Sequence, residues 1–528
     1  MGVHPLLAAI ILVLRFVYGT DASDGEETRA AWVGLDAKTQ NLLILDGEPQ
    51  EADFQTDSKY IPIAWGNFRN DINETGWSRL QIESNGHVQD DLQAYAAGVL
   101  EANLTRQVME YQWTNLFGMY CENQTTYCHK LTRFLTENVK YTQEQGHRLR
   151  NDDPFWNMMH LLLKQMAGLS DVFENEELNA SNELTGAPRV FYMNTIGDLQ
   201  DLEIVLGRER DFYSLQRTLA CSALVKVVGD FRDVYITDTT WLLYRAMLRI
   251  EKHYIFPWHR TAANTGPASA PVLNAVHHPR AAVVSEDRAL ARQHLRHAGM
   301  LLSTVPRWQH RNRYSLSWPG TPPGRVLERP RNLRSKSQPI TPLRTAQVPQ
   351  LRNRRSLFQP VPRTLAPEAS GHRIPLTLPR SSLLRTLPQD IVPGHTWTMS
   401  SYPGMILSYD CFYLTSAGLA ITETQLSNSN HDLFKLIKPT GSVLGEFRET
   451  VACRLSTTSE EWVRTVAQQN SGTSNNQVMV LDYKRFSPGT PIVKGTLWLY
   501  EQMPGITQAA DVSDLLREKR YWASYNVA

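Results

Sequence analysis

Residues 261–390 constrain this 528-residue chain more than any other stretch, because they hold 17 of its 29 prolines and almost no hydrophobic period. Pro322-Pro323-Gly324 and the Arg/Ser/Pro clusters from Arg331 to Pro360 have the composition of a segment that cannot bury enough apolar surface to offset its chain entropy. A structureless run of that length does not belong inside a compact domain. Any core must therefore be assembled from the two flanking parts, and these are long enough for a substantial one. The segment reads as a basic disordered insert or, preferably, as translated intron, since the flanks look like one continuous domain. It carries 19 Arg and 1 Lys against 5 acidic residues, a net of +15. With an overall net charge of +1, the remainder sums to −14. An acidic body of this kind is not a nucleic-acid binder, which would carry its basic patch on the folded face.

The beginning of the chain sets an expected compartment. Leu6 to Tyr18 is apolar apart from Arg15, the length of a signal-peptide core and too short to span a bilayer. Residues 1–19 are therefore expected to be a signal peptide, and no later stretch reads as a transmembrane segment. Four N-x-S/T sequons, at Asn73, Asn103, Asn123 and Asn179, all lie before Cys221. They predict a glycosylated, exposed N-terminal part over 20–220, in a protein that is secreted or delivered to the lysosome lumen. An oxidising compartment permits disulfides. Of the five cysteines, Cys121 and Cys128 are close enough to pin a local loop, and an odd count leaves one unpaired. Cys221 is the best candidate for the free thiol, although a lone cysteine is as readily a small buried apolar residue.

Patterning fills in the elements. Strands are expected over Ala30–Gly47 (two, with a turn), Ile61–Gly66 and Gly76–Ile82. Helices follow over Asp90–Leu100, Leu104–Phe117, Lys130–Tyr141, Phe155–Met166 and Ile196–Leu206, with Asp171–Thr185 an exposed loop. Ala223–Val228 and Asp233–Thr237 form a hairpin across Gly229-Asp230. Trp241–Arg249 reads as helix. After the insert, strands are expected over 412–414, 419–424, 477–483 and 495–500. Helices are expected over 432–437, 443–455 and 460–469. Short strands among helices give an α+β class. Arg448 and Arg454 are read as a solvated helix face. His253 and His259 are read as loop residues, because no partner motif completes a zinc site. No metal or cofactor is implied.

Several segments together carry a resemblance. They are Gly76-Trp77, Gln93 to Glu101, Cys221 to Lys226, Thr240-Trp241, Met247 to Ile250, Ser400 to Gly404, Asn470 to Thr473, Asn475 to Gln477, Glu501 to Gly505 and Tyr521 to Asn526. In these the chain resembles the phospholipase B-like family of the lamina ancestor type, over about 30–260 and 397–528. The resemblance implies a four-layer αββα sandwich of the N-terminal nucleophile hydrolase type. It also implies a precursor cut at Ala220–Cys221, whose N-terminal chain stays bound to a catalytic core built from 221–260 and 391–528. Cys221 would be the nucleophile, with its freed α-amine as base. Asn475, and next Asn476, would supply the oxyanion donor, and Trp241 would line the nucleophile region. Read without the resemblance, either asparagine is equally a turn residue. Many family members carry histidine where Asp238 stands. Asp238 either orients the α-amine, marks an altered site, or is a surface-turn residue. The substrate class implied is a phospholipid or a related acyl ester. The alternatives are an amidase acting on N-acyl substrates, or a non-catalytic glycoprotein that binds lipid or a partner. A homodimer is compatible with either. Neither a G-x-S-x-G elbow nor a papain-type cysteine signature is present, which disfavours the conventional esterases and cysteine proteases.

Overall fold

The computed structural model describes residues 28–55, 57–215, 220–241, 243–265 and 390–526. The expected signal peptide and nearly all of the proline-rich segment lie outside the described residues.

An eleven-stranded sheet runs through the described molecule. Its strands are β1 (Thr28–Asp36), β2 (Leu42–Asp46), β3 (Tyr60–Arg69), β4 (Ser78–Ser84), β7 (Ile250–Ile255), β8 (Thr396–Ser401), β9 (Tyr413–Thr415), β10 (Leu419–Gln425), β11 (Asn476–Asp482), β12 (Leu497–Met503) and β13 (Ile506–Asp511). Their order is β13-β12-β11-β10-β9-β8-β7-β4-β3-β1-β2, and only the β4–β7 junction is parallel. That junction joins the part of the chain before Cys221 to the part after it. A second sheet of three strands has the order β14-β5-β6, formed by β14 (Tyr521–Ser524), β5 (Ala220–Val228) and β6 (Asp233–Trp241). The class is α+β, as expected.

Period-two patterning tells why the two sheets stack. In β11, Val478 and Val480 face the helical core, while Met479 and Leu481 face Ala223, Val225 and Val227 of β5. Ala420 in β10 and Leu497 and Leu499 in β12 join that second face. Both faces of β11 are covered, so its sequence reads as an unbroken apolar run rather than an alternation. The small sheet therefore packs on one face of the large sheet, and the helices pack on the other.

Those helices are α1 (Asp90–Phe117), α2 (Thr125–Leu149), α3 (Pro154–Glu174), α4 (Ile196–Leu206), α5 (Gly445–Leu455) and α6 (Ser459–Val466). A seventh, α7 (Ser513–Lys519), leads into β14. The two helices expected over 90–117 are one, since nothing between Leu100 and Leu104 breaks the ladder. The first half of α1 is buried all round, and its run of Ala and Gly lets α3 approach closely. Cys121 and Cys128 form a disulfide across the α1–α2 connection, as expected.

Several sequence expectations are corrected. Trp241–Arg249 is not a helix: Trp241 ends β6, a single 3-10 turn follows at Tyr244–Ala246, and β7 starts at Ile250. The strand escaped notice because it buries a charge. Lys252 lies on the core side of β7, donating to Glu101 at 2.6 Å and to the Met405 carbonyl. The Tyr254 hydroxyl donates to the other Glu101 oxygen at 2.5 Å. Arg448 and Arg454 are fully buried rather than solvated. Arg448 donates to the carbonyls of Val443 and Val466 and to Gln502, while Arg454 lies over the rings of Trp258 and Trp397. His253 sits in β7 bonded to Thr398 rather than in a loop, and His259 is bonded to Asp90. Asp171, placed in a loop from sequence, belongs to α3, where its carboxylate accepts from Tyr95.

The Lys252–Glu101 pair gives one expected result. Lys252→Met leaves a carboxylate buried without its cation and should cost about 3–5 kcal/mol. Adding Glu101→Leu should recover much of that loss. Urea denaturation of the two variants checks this, and equal midpoints for single and double variants would contradict it.

Candidate active site

Cys221 stands at the head of β5, paired in register with Thr240 of β6. It is half-buried, whereas the other two free thiols, Cys411 and Cys453, are buried. Its strand is the central one of the small sheet, but β14 pairs only with Ala223 to Lys226, so at Cys221 the strand neighbour is β6. The Cys221 backbone N–H donates to Asn526 Oδ1 at 3.0 Å. Asn526 is held in turn from two sides. Its own N–H donates to Thr424 Oγ1 at 3.2 Å, and its Nδ2 donates to the Gln425 carbonyl at 2.8 Å. Thr424 Oγ1 also meets Ser524 Oγ at 2.6 Å. The end of β10, the end of β14 and the head of β5 therefore converge on the nucleophile candidate. Asn526 was part of a quoted segment, but sequence alone gave it no task, because its partner is 305 residues away.

The surroundings are acidic. The two carboxylate oxygens of Asp238 are buried and have no hydrogen-bond partner among the described residues. Asp238 is a β6 strand residue opposite Ala223, so the surface-turn reading is withdrawn. Burial and the nearby Asp410 push its carboxyl well above the ordinary range, while the Thr239 backbone and Arg249 pull it back. Asp410 accepts from Tyr402 at 2.7 Å and from Ser400, and lies 3.6 Å from Arg249. Arg249 lies over the Trp77 ring, so two segments far apart in the sequence meet here. Burial raises the Cys221 thiol pKa, and Asp238, Glu423 and Asp410 raise it further. The Trp241 backbone N–H opposes them. A thiol so placed stays protonated in the intact chain and needs a base beside it to react.

The other expected site residues are placed less directly. Trp241 is exposed at the end of β6, and its backbone N–H is the part that bears on the thiol. Asn475 is buried just before β11, not in an exposed turn. Its Nδ2 donates to Asp201 at 3.1 Å and to the Gly472 carbonyl at 2.9 Å, so both amide hydrogens are engaged. Its backbone carbonyl accepts from Leu426, which ties it to the end of β10 near Asn526. Asn476 Nδ2 donates to Ser474 at 3.2 Å. A donor that sequence did not single out is Tyr409. Its buried hydroxyl has no partner among the described residues, and its pKa is raised by burial first and, among several charges, by that of Cys221. Of the sequons, Asn73, Asn123 and Asn179 are exposed, whereas Asn103 is half-buried inside α1.

Behind Cys221 lies a buried acidic group. Cys411 Sγ and one oxygen each of Glu423 and Glu449 come within 4.8 Å of one another, the kind of donor set that can hold a cation. Here Cys411 donates to Glu449 at 3.1 Å. Burial and the charges of Glu449 and Glu446 raise Glu423 well above the carboxylate range, and burial raises Glu449 too. Asp198 and Asp201, one turn apart on α4, extend this cluster and are pushed up to about 6 and about 7.

The family model described as Phospholipase B matches residues 64–273 and 383–528 and leaves out the middle of the proline-rich segment. Curated relatives carry the name "Putative phospholipase B-like 2". The one from Bos taurus is 29% identical over 93% of this chain and 62% of its own length. The one from Homo sapiens is 28% identical over 99% and 68%, and the one from Mus musculus 30% identical over 93% and 61%. The chain thus spans less than two thirds of the bovine and mouse proteins it matches.

Proposed function

The chain belongs to the phospholipase B family, and on that premise we propose that it is an acyl hydrolase whose nucleophile is Cys221, matured by cleavage of the Ala220–Cys221 bond. The observation that carries this reading is the position of Cys221. Among the described cysteines it alone is free and partly accessible, at the head of a strand with its backbone nitrogen held by a side chain. The stacking of the small sheet on the large one supports the sandwich of the N-terminal nucleophile hydrolases.

In the cleavage step, the Cys221 thiol adds to the Ala220 carbonyl carbon. The C–N bond breaks as the thiol proton passes to the departing nitrogen, leaving a thioester. Water then hydrolyses the thioester, freeing the Ala220 carboxylate and the Cys221 thiol. The new α-amine, with an ordinary pKa near ~8, serves as base for the thiol. The thiol next attacks a substrate acyl carbonyl, the alcohol or amine leaves with a proton, and water releases the fatty acid. Tyr409, whose buried hydroxyl has no partner among the described residues, is the donor for the oxyanion; Asn475 would have to release Asp201 or the Gly472 carbonyl to join it. Strands from both sides of the cut share the eleven-stranded sheet, so the two chains would remain together. The substrate class is a phospholipid or related acyl ester. An N-acyl amide is the second reading, favoured by the same thioester chemistry. The expected location is the lysosome lumen or outside the cell. No helix among the described residues is long and apolar enough to cross a membrane.

N-terminal sequencing and intact mass of the deglycosylated protein, beside Cys221→Ala, test the reading. A fragment beginning at Cys221 is expected in the wild type and not in the variant, with loss of acyl-ester hydrolysis. An uncut wild-type chain would sink the mechanism and leave a lipid- or partner-binding glycoprotein.

A further inference from the structure

We propose that Asn526 is the positioning residue for the Cys221 amine, holding one nitrogen first as the scissile amide and then as the catalytic base; this rests on the hydrolase reading above. The orientation of the Asn526 amide is fixed by its surroundings. Nδ2 faces the Gln425 carbonyl at 2.8 Å, and only an N–H group satisfies a carbonyl oxygen. Oδ1 is then left facing the Cys221 N–H at 3.0 Å, where only an acceptor fits. A flipped amide would oppose two donors on one side and two acceptors on the other. The backbone of Asn526 is anchored separately, through its N–H to Thr424 Oγ1.

When the Ala220–Cys221 bond breaks, the nitrogen keeps the hydrogen already directed at Oδ1 and gains the thiol proton. A nitrogen restrained along one N–H axis presents its lone pair away from that axis. It therefore rotates less freely than an unheld chain end, and the base stays near its own thiol. Asp238, opposite Ala223 and so diagonal to Cys221, makes no hydrogen bond to the Cys221 nitrogen, whose N–H is taken by Asn526. The neutral amide is also suited to the task in a way a carboxylate is not. A negative charge at this point would raise the amine pKa and make the base unavailable over more of the pH range.

The experiment uses the full chain, with cleavage followed by time-resolved intact mass and hydrolysis followed on a synthetic acyl ester. Asn526→Ala should slow both by roughly tenfold or more, as expected for losing a hydrogen bond to a group that becomes charged. Asn526→Asp keeps the shape and should move the alkaline-rising limb of the hydrolysis pH profile upward, a change that a packing role would not produce. If the wild type cleaves and both variants match it in rate and pH profile, the inference is overturned while the hydrolase reading stands. If the wild type itself does not cleave, both fall. If both variants lose the folded state, as judged by thermal melting, Asn526 belongs to the fold and the inference is overturned.

Discussion

Gly98→Ala should destabilise the protein by about 3 kcal/mol or more, although the same change in an exposed helix stabilises by up to ~1 kcal/mol. The reversal comes from the α1–α3 crossing. A Cβ at Gly98 would lie 1.8 Å from the Gln165 carbonyl oxygen and 2.8 Å from the Leu169 nitrogen. These are backbone atoms of a buried helix and cannot swing aside. The contact is reciprocal, since a Cβ at Gly168 would lie 2.1 Å from the Tyr95 carbonyl oxygen. Admitting the methyl group means lifting α3 off α1, the helix that lies on the large sheet, which opens space on either side of the crossing. Gly168→Ala should cost a similar amount. The double variant should cost less than the sum, because both changes break one contact. Denaturant midpoints of the three variants decide it. A Gly98→Ala protein as stable as the wild type would mean that the helices do not cross at this distance.

The protein should be more stable at pH 5 than at pH 7.5, by on the order of 3 kcal/mol from Asp198 and Asp201 together. Both carboxyls have raised pKa values, about 6 and about 7. Burial is the main cause for each, and the charge of Asp198 adds to Asp201. An unfolded aspartate titrates near ~3.9, so between these values the folded state binds more protons than the unfolded one. The stabilisation is complete below the unfolded pKa and is lost as pH rises through about 6 to 7. Glu423, Glu446 and Glu449 shift in the same direction. His160 opposes them: burial lowers its pKa, so acid favours its unfolded form. Against it stand these five and also Asp238, Glu251 and His259, all raised. Melting temperatures across this range should fall by several degrees towards neutrality, and Asp201→Asn should flatten the dependence. A melting temperature that rises from pH 5 to pH 7.5 would contradict the assignment.

The readable parts of the sequence were those where local pattern and burial agree. The β5–β6 hairpin and helix α4 appear where periodicity puts them, and the disulfide closes the loop its spacing allowed. β7 was missed because Lys252 sits at a core position. In sequence a buried ion pair is indistinguishable from a solvated lysine until Glu101 is placed opposite. Arg448 and Arg454 misled for the same reason. A cationic side chain at helical spacing reads as surface, and only the carbonyls and indole rings around it show otherwise. At the candidate site, the resemblance singles out Cys221 and Asp238. Asn526, Tyr409 and Asp410 were not legible in the sequence, because their relation to the thiol is made by strands joined across hundreds of residues.

Strand β14 pairs with β5 from Ala223 to Lys226, and Asn526 reaches the Cys221 nitrogen across 305 residues of sequence. A ribosome working at roughly 5–20 residues per second takes about 15 to 60 seconds to cover that interval. For that time β5 has one unpaired edge and an apolar face awaiting Met479, Leu481 and Leu499. The nascent molecule therefore carries an open, sticky strand through most of its synthesis, and its yield should depend on chaperones that occupy such edges. The delay also has a protective side. On the maturation proposed above, a Cys221 whose nitrogen is held only once the last strand arrives would not cut its own backbone in a half-made chain.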